Sequence, residues 1–431
     1  MIRHIKQGNG KIRYRRNCPQ SEHPALRHGP VRSGRRFMRI PAHGLFLLDR
    51  PFQPLLDFQA GRQMWVVLML VLMMAFSGPA QTLAATAGKE NMPLGAGVAV
   101  NQAQSLMAED KPDQALAVLT RYSEKQEKDV HFYIDFLTGF CFTELGQTRA
   151  AAAAFQRVVE KQPDLSEAWL NLARCRYEQG QMSEAARAFE KGYDTSEEKK
   201  AIHLFYAAAC DFQAGRPDAA LTLFERLMAA HPEAVTLEWK QTLVNILFAL
   251  EKYREALPWL EELAKETTGD SRRQWQEMLL YQYLSLEMKQ KALAYARYLT
   301  RTHPEDPGWW KALAHVHLTD NRFEKALAAM LSYSYLTPLK REESRLVADL
   351  YLSCNIPDSA ARQYEAWLAQ HRDTLSEKQV LEKIKVISRA WLSAGNLDQA
   401  LAWAEKGLAK TSDKELLGIK AYVLATRKMP D

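Results

Sequence analysis

His315 and His317 stand two residues apart, a spacing that puts two helical side chains on different faces and makes a poor metal pair. Cys141, Cys175 and Cys210 follow one another at intervals of 34 and 35 residues, with Cys18 and Cys354 remote from them. No CxxC or Cys/His ligand spacing occurs, so zinc and redox motifs are unsupported. The sequence contains no Walker-type glycine loop, no GxSxG and no HExxH. Carboxylates are plentiful, but at amphipathic-helix spacing, where a solvated face is their ordinary role. Asp306-Pro307-Gly308 reads as a turn. These residues predict no catalytic group, no metal and no cofactor, and the chain reads as a non-enzymatic one.

The elements that carry these residues must be sought in a chain of 431 residues with 47% hydrophobic and 25% charged content. That composition excludes disordered, collagenous and multispan membrane classes. The formal charge of +6 is unevenly placed. Residues 1–62 hold 13 basic and 3 acidic side chains, whereas 63–431 hold 44 basic and 48 acidic. The body has no cationic excess to neutralise phosphates, so nucleic acid is not expected as a partner. Residues 1–62 read as a basic leader, either disordered or upstream of a true start at Met38 or Met64. Met64–Phe76 is an uncharged apolar run of signal-peptide length, and Ala85-Thr86-Ala87 fits a small-x-small cleavage site. Residues 63–87 are therefore a signal peptide or, if retained, a membrane anchor, and 88–95 a linker. The expected location is periplasmic, or anchored to the inner membrane.

From residue 96 a pattern recurs. Segments opening at Ala96, Phe132, Ser166, Ala201, Leu237, Arg273, Pro307, Arg341 and Leu381 tend to carry a large residue near position 4 and a small one near 8, and six of the nine have Gly or Asn at 15. Alanine stands at position 20 in every copy. Proline often stands at 32, as in Pro163, Pro232, Pro304 and Pro338. Each unit predicts two antiparallel helices: small residues let the backbones approach, Gly ends the first helix in a left-handed conformation, and Pro ends the second. One pair cannot bury its own apolar face, so the pairs must stack. Residues 96–413 form the array; Lys414–Lys428, within a tail of 414–431, is placed to cap its end. The polar run His371–Thr374 reads as a loop between repeats.

This pattern resembles the tetratricopeptide repeat. The resemblance implies an all-α fold: a right-handed superhelical solenoid of about nine helix pairs whose first helices line a concave groove. Carried onto this sequence, the family's groove positions are Tyr133, Phe136 and Phe140, then Arg174 and Tyr177, then Phe205 and Phe212. Asn245, Phe248 and Tyr281 follow, then Lys311, Arg345 and Arg389. The groove thus runs from aromatic to charged, and aromatics and Arg are favoured at binding hot spots. Asn245, Lys311, Arg345 and Arg389 are also candidates to clamp a partner's C-terminal carboxylate, as some members do. Cys141, Cys175 and Cys210 all fall at position 10. Equivalent positions of stacked helices lie about 10 Å apart, too far for a disulfide, so three free buried thiols are expected.

Residues 300–410, with Pro307–Ala314, Arg345–Leu352 and Ile356–Ala361, are similar to the exported tetratricopeptide protein associated with TonB energy-transduction systems. That resemblance implies a periplasmic adaptor beside a TonB-like protein and its ExbB/ExbD-type motor. A membrane-tethered assembly factor for envelope polysaccharide or lipopolysaccharide is the alternative. N-terminal sequencing of the natural protein separates the two: Gly88 as the first residue is the expected result, and retention of residues 64–87 favours the tether.

Overall fold

Nineteen α-helices and two short 3-10 turns make up the described residues, among which there is no strand. The computed structural model describes residues 92–126 and 130–428, all within one compact unit, Leu45–Asp431. The leader, the apolar run and the cleavage site lie outside the described residues. Among the described residues no helix is long and apolar enough to cross a membrane.

The helices come in consecutive pairs. They are α1 (Leu94–Ala108) with α2 (Pro112–Glu124), α3 (Phe132–Glu144) with α4 (Thr148–Lys161), and α5 (Ser166–Glu178) with α6 (Met182–Thr195). Next come α7 (Ala201–Gln213) with α8 (Pro217–Ala230), α9 (Leu237–Ala249) with α10 (Tyr253–Glu266), and α11 (Gly269–Ser285) with α12 (Lys289–Thr302). The last pairs are α13 (Pro307–Thr319) with α14 (Phe323–Leu336), α15 (Arg341–Ser353) with α16 (Pro357–His371), and α17 (Glu377–Ser393) with α18 (Leu397–Leu408). Helix α19 (Lys414–Lys428) closes the end and packs on α17 and α18, as expected of a cap.

Six first helices begin at the residue the repeat pattern names. Helices α11 and α17 begin four residues earlier, and both are 17 residues long. For α17 the cause is a capping box one turn upstream of the repeat register. The Gln379 backbone N–H donates to Ser376 Oγ at 3.4 Å, and the Ser376 N–H donates to Gln379 Oε1 at 2.9 Å. Residues His371–Thr374 are not a plain loop: α16 runs through His371 and a 3-10 turn takes Arg372–Thr374.

What stops the first helices is uniform. Asp110, Gly146, Gly180, Gly215, Glu251, Glu287, Asn321, Asn355 and Gly395 all have φ between 54° and 75°. In each, the next residue's N–H reaches back to a carbonyl of the last turn, from Gln147 to Phe142 (2.8 Å) through Asn396 to Trp391 (3.0 Å). This is a Schellman closure, and the left-handed residue is its requirement. Five of the nine positions are held by a residue other than Gly, for which that conformation is unfavourable, though least so for Asn and Asp.

Between the two helices of each pair the backbones meet at an alanine. Ala115, Ala151, Ala185, Ala220, Ala256, Ala292, Ala326, Ala360 and Ala400 are all 0% exposed. At Gly139 even a methyl group is too large: a Cβ there would lie 2.7 Å from the Phe155 ring. Tryptophans at position 4 tie repeats together, since Trp169 Nε1 donates to the Pro163 carbonyl (2.7 Å) and Trp310 Nε1 to the Pro304 carbonyl (2.8 Å). Successive first helices also touch: α1 packs on α3, α7 on α9 and α17 on α19. That proximity puts the first helices on the tighter side of the stack.

The apolar core has two bodies. One runs from Ala96 to Leu350, and the other gathers Ala348, α16, α17, α18 and α19. They meet within α15, where Val347 and Leu350 belong to the first body and Ala348 to the second.

Glu251 and Glu287 are exposed and occupy left-handed positions where glycine is favoured. Glu251→Gly and Glu287→Gly are each expected to raise stability by about 1 kcal/mol, read as a higher thermal midpoint. Glu251→Val, β-branched, is expected to lower it.

Candidate functional site

The inner wall is built by the first helices, and the structure divides its predicted residues into two groups. Tyr133, Phe136, Tyr177 and Phe205 are buried, between 2% and 7% exposed. They are corrected here from groove to core. Phe205 stacks on Trp239 of the next repeat at 4.6 Å with the rings 8° from parallel. Phe136 packs edge-on against Phe155 of its own pair at 6.0 Å. Tyr133 accepts a hydrogen bond from Gln104 of the preceding repeat at 3.2 Å. These rings fill the space between neighbouring pairs, and none of them offers its face to a partner.

Phe140, Phe212 and Phe248 are only partly buried, and Tyr281 is 44% exposed. Phe140 leans edge-on against Phe136 at 4.9 Å, and Phe248 against Tyr253 at 5.5 Å. Phe140 and Tyr281 occupy position 9 of their repeats, Phe212 and Phe248 position 12. These positions are one helical turn apart, so the four rings form a discontinuous apolar line across α3, α7, α9 and α11. Arg174 and Asn245, both partly buried, share position 9 on α5 and α9.

The charged half is different from expectation. Lys311 donates to Glu343 Oε1 at 2.7 Å, Arg345 pairs with Glu342 at 2.7 Å and Arg389 with Glu415 of α19 at 3.0 Å. Arg174 likewise pairs with Glu178 at 3.0 Å. Asn245, Lys311, Arg345 and Arg389 therefore do not assemble a ready clamp: they are spread over four repeats, and each cation already has a carboxylate.

Glu343 is a functional-looking residue that the repeat pattern passes over. It is 2% exposed and lies between Lys311 of α13 and Tyr333 of α14, beside the first core body. Burial alone would raise its pKa, but Lys311, the Lys340 backbone N–H (2.8 Å) and the Tyr333 hydroxyl (3.0 Å) hold it below the usual glutamate value. Its place as the third residue of α15 was the signal that could have marked it.

Cys141, Cys175 and Cys210 are free and buried, as the register requires. Burial pushes the Cys141 thiol up to about 11 and Cys175 to about 12, and raises Cys210 as well, so none is a ready nucleophile. Burial, reinforced by Lys200, lowers His203 to about 4, leaving a neutral imidazole whose Nδ1 has no partner. His315 is partly buried and His317 buried. No group of three or more His, Cys, Asp or Glu side chains converges among the described residues.

Recesses open on the surface of the described residues, and two of them lie in the last repeats. The larger, about 590 Å³, lies among α16, α17 and α18, with Leu368, Ile384 and Trp403 as its apolar lining and Lys406 3.9 Å above the Trp403 ring. The smaller, about 180 Å³, is bounded by α15, α16 and α17.

A tetratricopeptide-repeat family model matches residues 142–199 and 283–338, and a second model of the same repeat matches 176–235 and 211–278. The repeats within residues 142–278 and 283–338 are therefore tetratricopeptide repeats. No curated protein matches the chain in sequence. Among solved structures, a tetratricopeptide repeat protein from Parabacteroides merdae is similar at 11% identity, covering 68% of this chain and 99% of its own, with a TM-score of 0.32. YrrB, described as a TPR protein with an unusual peptide-binding site, is similar at 18% identity over 44% of this chain and 96% of its own, with a TM-score of 0.33. The TPR2AB domain of yeast Sti1 in complex with pHSP90 is similar at 14% identity over 60% and 98%, with a TM-score of 0.32.

Removing Lys311 would leave a buried carboxylate without its cation. Lys311→Met is expected to cost roughly 3 kcal/mol, measured by chemical denaturation, and Lys311→Met with Glu343→Gln to recover part of that loss.

Proposed function

We propose that this chain is an exported, non-enzymatic scaffold that holds a polypeptide along the wall formed by its first helices. One observation carries the reading: Phe140, Phe212, Phe248 and Tyr281 stay partly exposed at turn-related positions while their neighbours of the same type are buried. Rings left accessible beside a fully packed core are the kind of anchor that binds a partner's apolar side chains. The flanking Arg174 and Asn245 supply polar contacts that fix register. The cations farther along are already paired with carboxylates, so affinity is assigned to the aromatic half.

Stacked repeats of this family serve as protein-interaction modules. The finer reading places the protein in the periplasm, next to a TonB-like transducer and its ExbB/ExbD-type motor. It rests on the export-like segment at 63–87 and on the wording of residues 300–410.

A photoreactive phenylalanine at position 248, introduced in the source cell, is expected to crosslink a defined partner. The same probe at Tyr335, 92% exposed on the second helix α14, is expected not to. Replacing Phe140, Phe248 and Tyr281 together by Ala is expected to weaken that partner by about 100-fold while the variant keeps its helix content and a cooperative melting transition. Equal crosslinking from Tyr335, or unaltered affinity in the triple variant, sinks the reading. A partner that is a TonB-type transducer supports the finer version.

A further inference from the structure

The smaller recess does not belong to the aromatic wall. It is assembled from the start of α15 (Arg341, Glu342, Arg345), from Trp367 of α16 and from Gln379 and Lys383 of α17. We propose that this cleft binds the phosphoryl group of a phosphomonoester.

Three cations and one carboxylate line it, a local surplus of two positive charges. A phosphomonoester carries about −1.5 to −2 at neutral pH and so matches that surplus, whereas a carboxylate, with a single charge, leaves half of it uncompensated. The donors suit oxyanions as well: two guanidinium forks and an ammonium are the groups that phosphate recognition employs. Arg341 and Lys383 flank one ring, at 5.6 and 5.5 Å from the centre of Trp367, and the Trp367 indole N–H is fixed on the Arg341 carbonyl at 2.8 Å. The aromatic ring thus holds the two cations on a common wall. Lys383 also lies 5.0 Å over Tyr364.

The cluster is under-satisfied. The Nε atoms of Arg341 and Arg345 are shielded from solvent and have no hydrogen-bond partner. The nearest carboxylate oxygen to Arg341 Nε, on Glu342, is 3.9 Å away, beyond hydrogen-bond range. Burial chiefly, with repulsion from Arg345, lowers the pKa of Lys383 although Asp349 and Glu342 pull the other way. An entering dianion would give the guanidinium groups the acceptors they lack and would relieve the ammonium. The first turns of α15 and α17 both border the cleft, and their positive ends add to the attraction. Gln379 accepts from Ser376 with its Oε1, which directs its amide NH2 to donate. A volume of about 180 Å³ admits a phosphate with its ester carbon rather than a length of polypeptide. This site is independent of the polypeptide wall, so the failure of either leaves the other standing.

Calorimetric titration of the full chain with inorganic phosphate at pH 7.5 tests it. Saturable binding is expected, weakened about ten-fold or more by Arg345→Gln and by Lys383→Gln, and kept by Lys383→Arg. Acetate at equal concentration is expected not to compete. Helix content and melting of each variant, followed by circular dichroism, separate lost binding from lost folding. Glycerol phosphate in solution and vesicles containing phosphatidic acid, each with phosphate as competitor, then distinguish a small ester from a lipid headgroup. Absence of saturable phosphate binding, equal competition by acetate, or binding indifferent to both Gln variants in folded protein overturns the proposal.

Discussion

The fold rests on how closely two helices can approach. The alanine at the crossing of each of the nine pairs has no exposed surface, and at Gly139 the neighbouring Phe155 ring excludes even a methyl group. Such contact brings dispersion and burial from both backbones and leaves no room for a polar side chain. It also sets how the large residues of one pair reach the next, because a wider crossing would pull rings such as Phe205 away from Trp239. The left-handed residue at each first-helix end belongs to the same constraint. Only a sharp closure returns the chain quickly enough for the alanine five residues later to meet its partner helix.

Much of this was readable in the sequence because the constraint acts on residue size. Alanine at position 20 marks every pair, Pro163, Pro232, Pro304 and Pro338 follow the second helices, and Lys414–Lys428 emerges as the terminal helix. Three things escaped. Helices α11 and α17 start one turn before the repeat register, and for α17 a local signal, the Ser376–Gln379 box, sets the start. The left-handed Glu251 and Glu287 look like ordinary surface carboxylates, since their conformation is imposed by the stack and opposes their own preference. The burial of Tyr133, Phe136, Tyr177 and Phe205 depends on how deep each neighbouring pair sits, which a position number within one repeat does not contain.

The same limit explains the charged residues. Lys311 and Arg389 were legible as cations at groove positions, but their partners lie on other helices: Glu343 on α15 and Glu415 on the cap. A repeat pattern reports what a side chain's own helix offers and is silent on the residue brought opposite by stacking. Arg341, Trp367 and Lys383 show the converse. None sits at a position the repeat marks for partners, yet three helices converge to make a cationic cleft of them. Cooperative sites of this kind form where the array departs from its average, at the longest interval between repeat openings.

The polar junction at Glu343 has a further consequence. In a linear array, order spreads from neighbour to neighbour through continuous apolar contact. Here that contact changes hands within α15 near Ala348, just beyond a buried carboxylate that Lys311 of α13 ties to the preceding pair. The last two pairs with their terminal helix therefore form a cassette with its own interior. Such a cassette can be traded between related chains as a unit, as long as the receiving array offers an amine opposite its acid, because that amine belongs to the preceding pair.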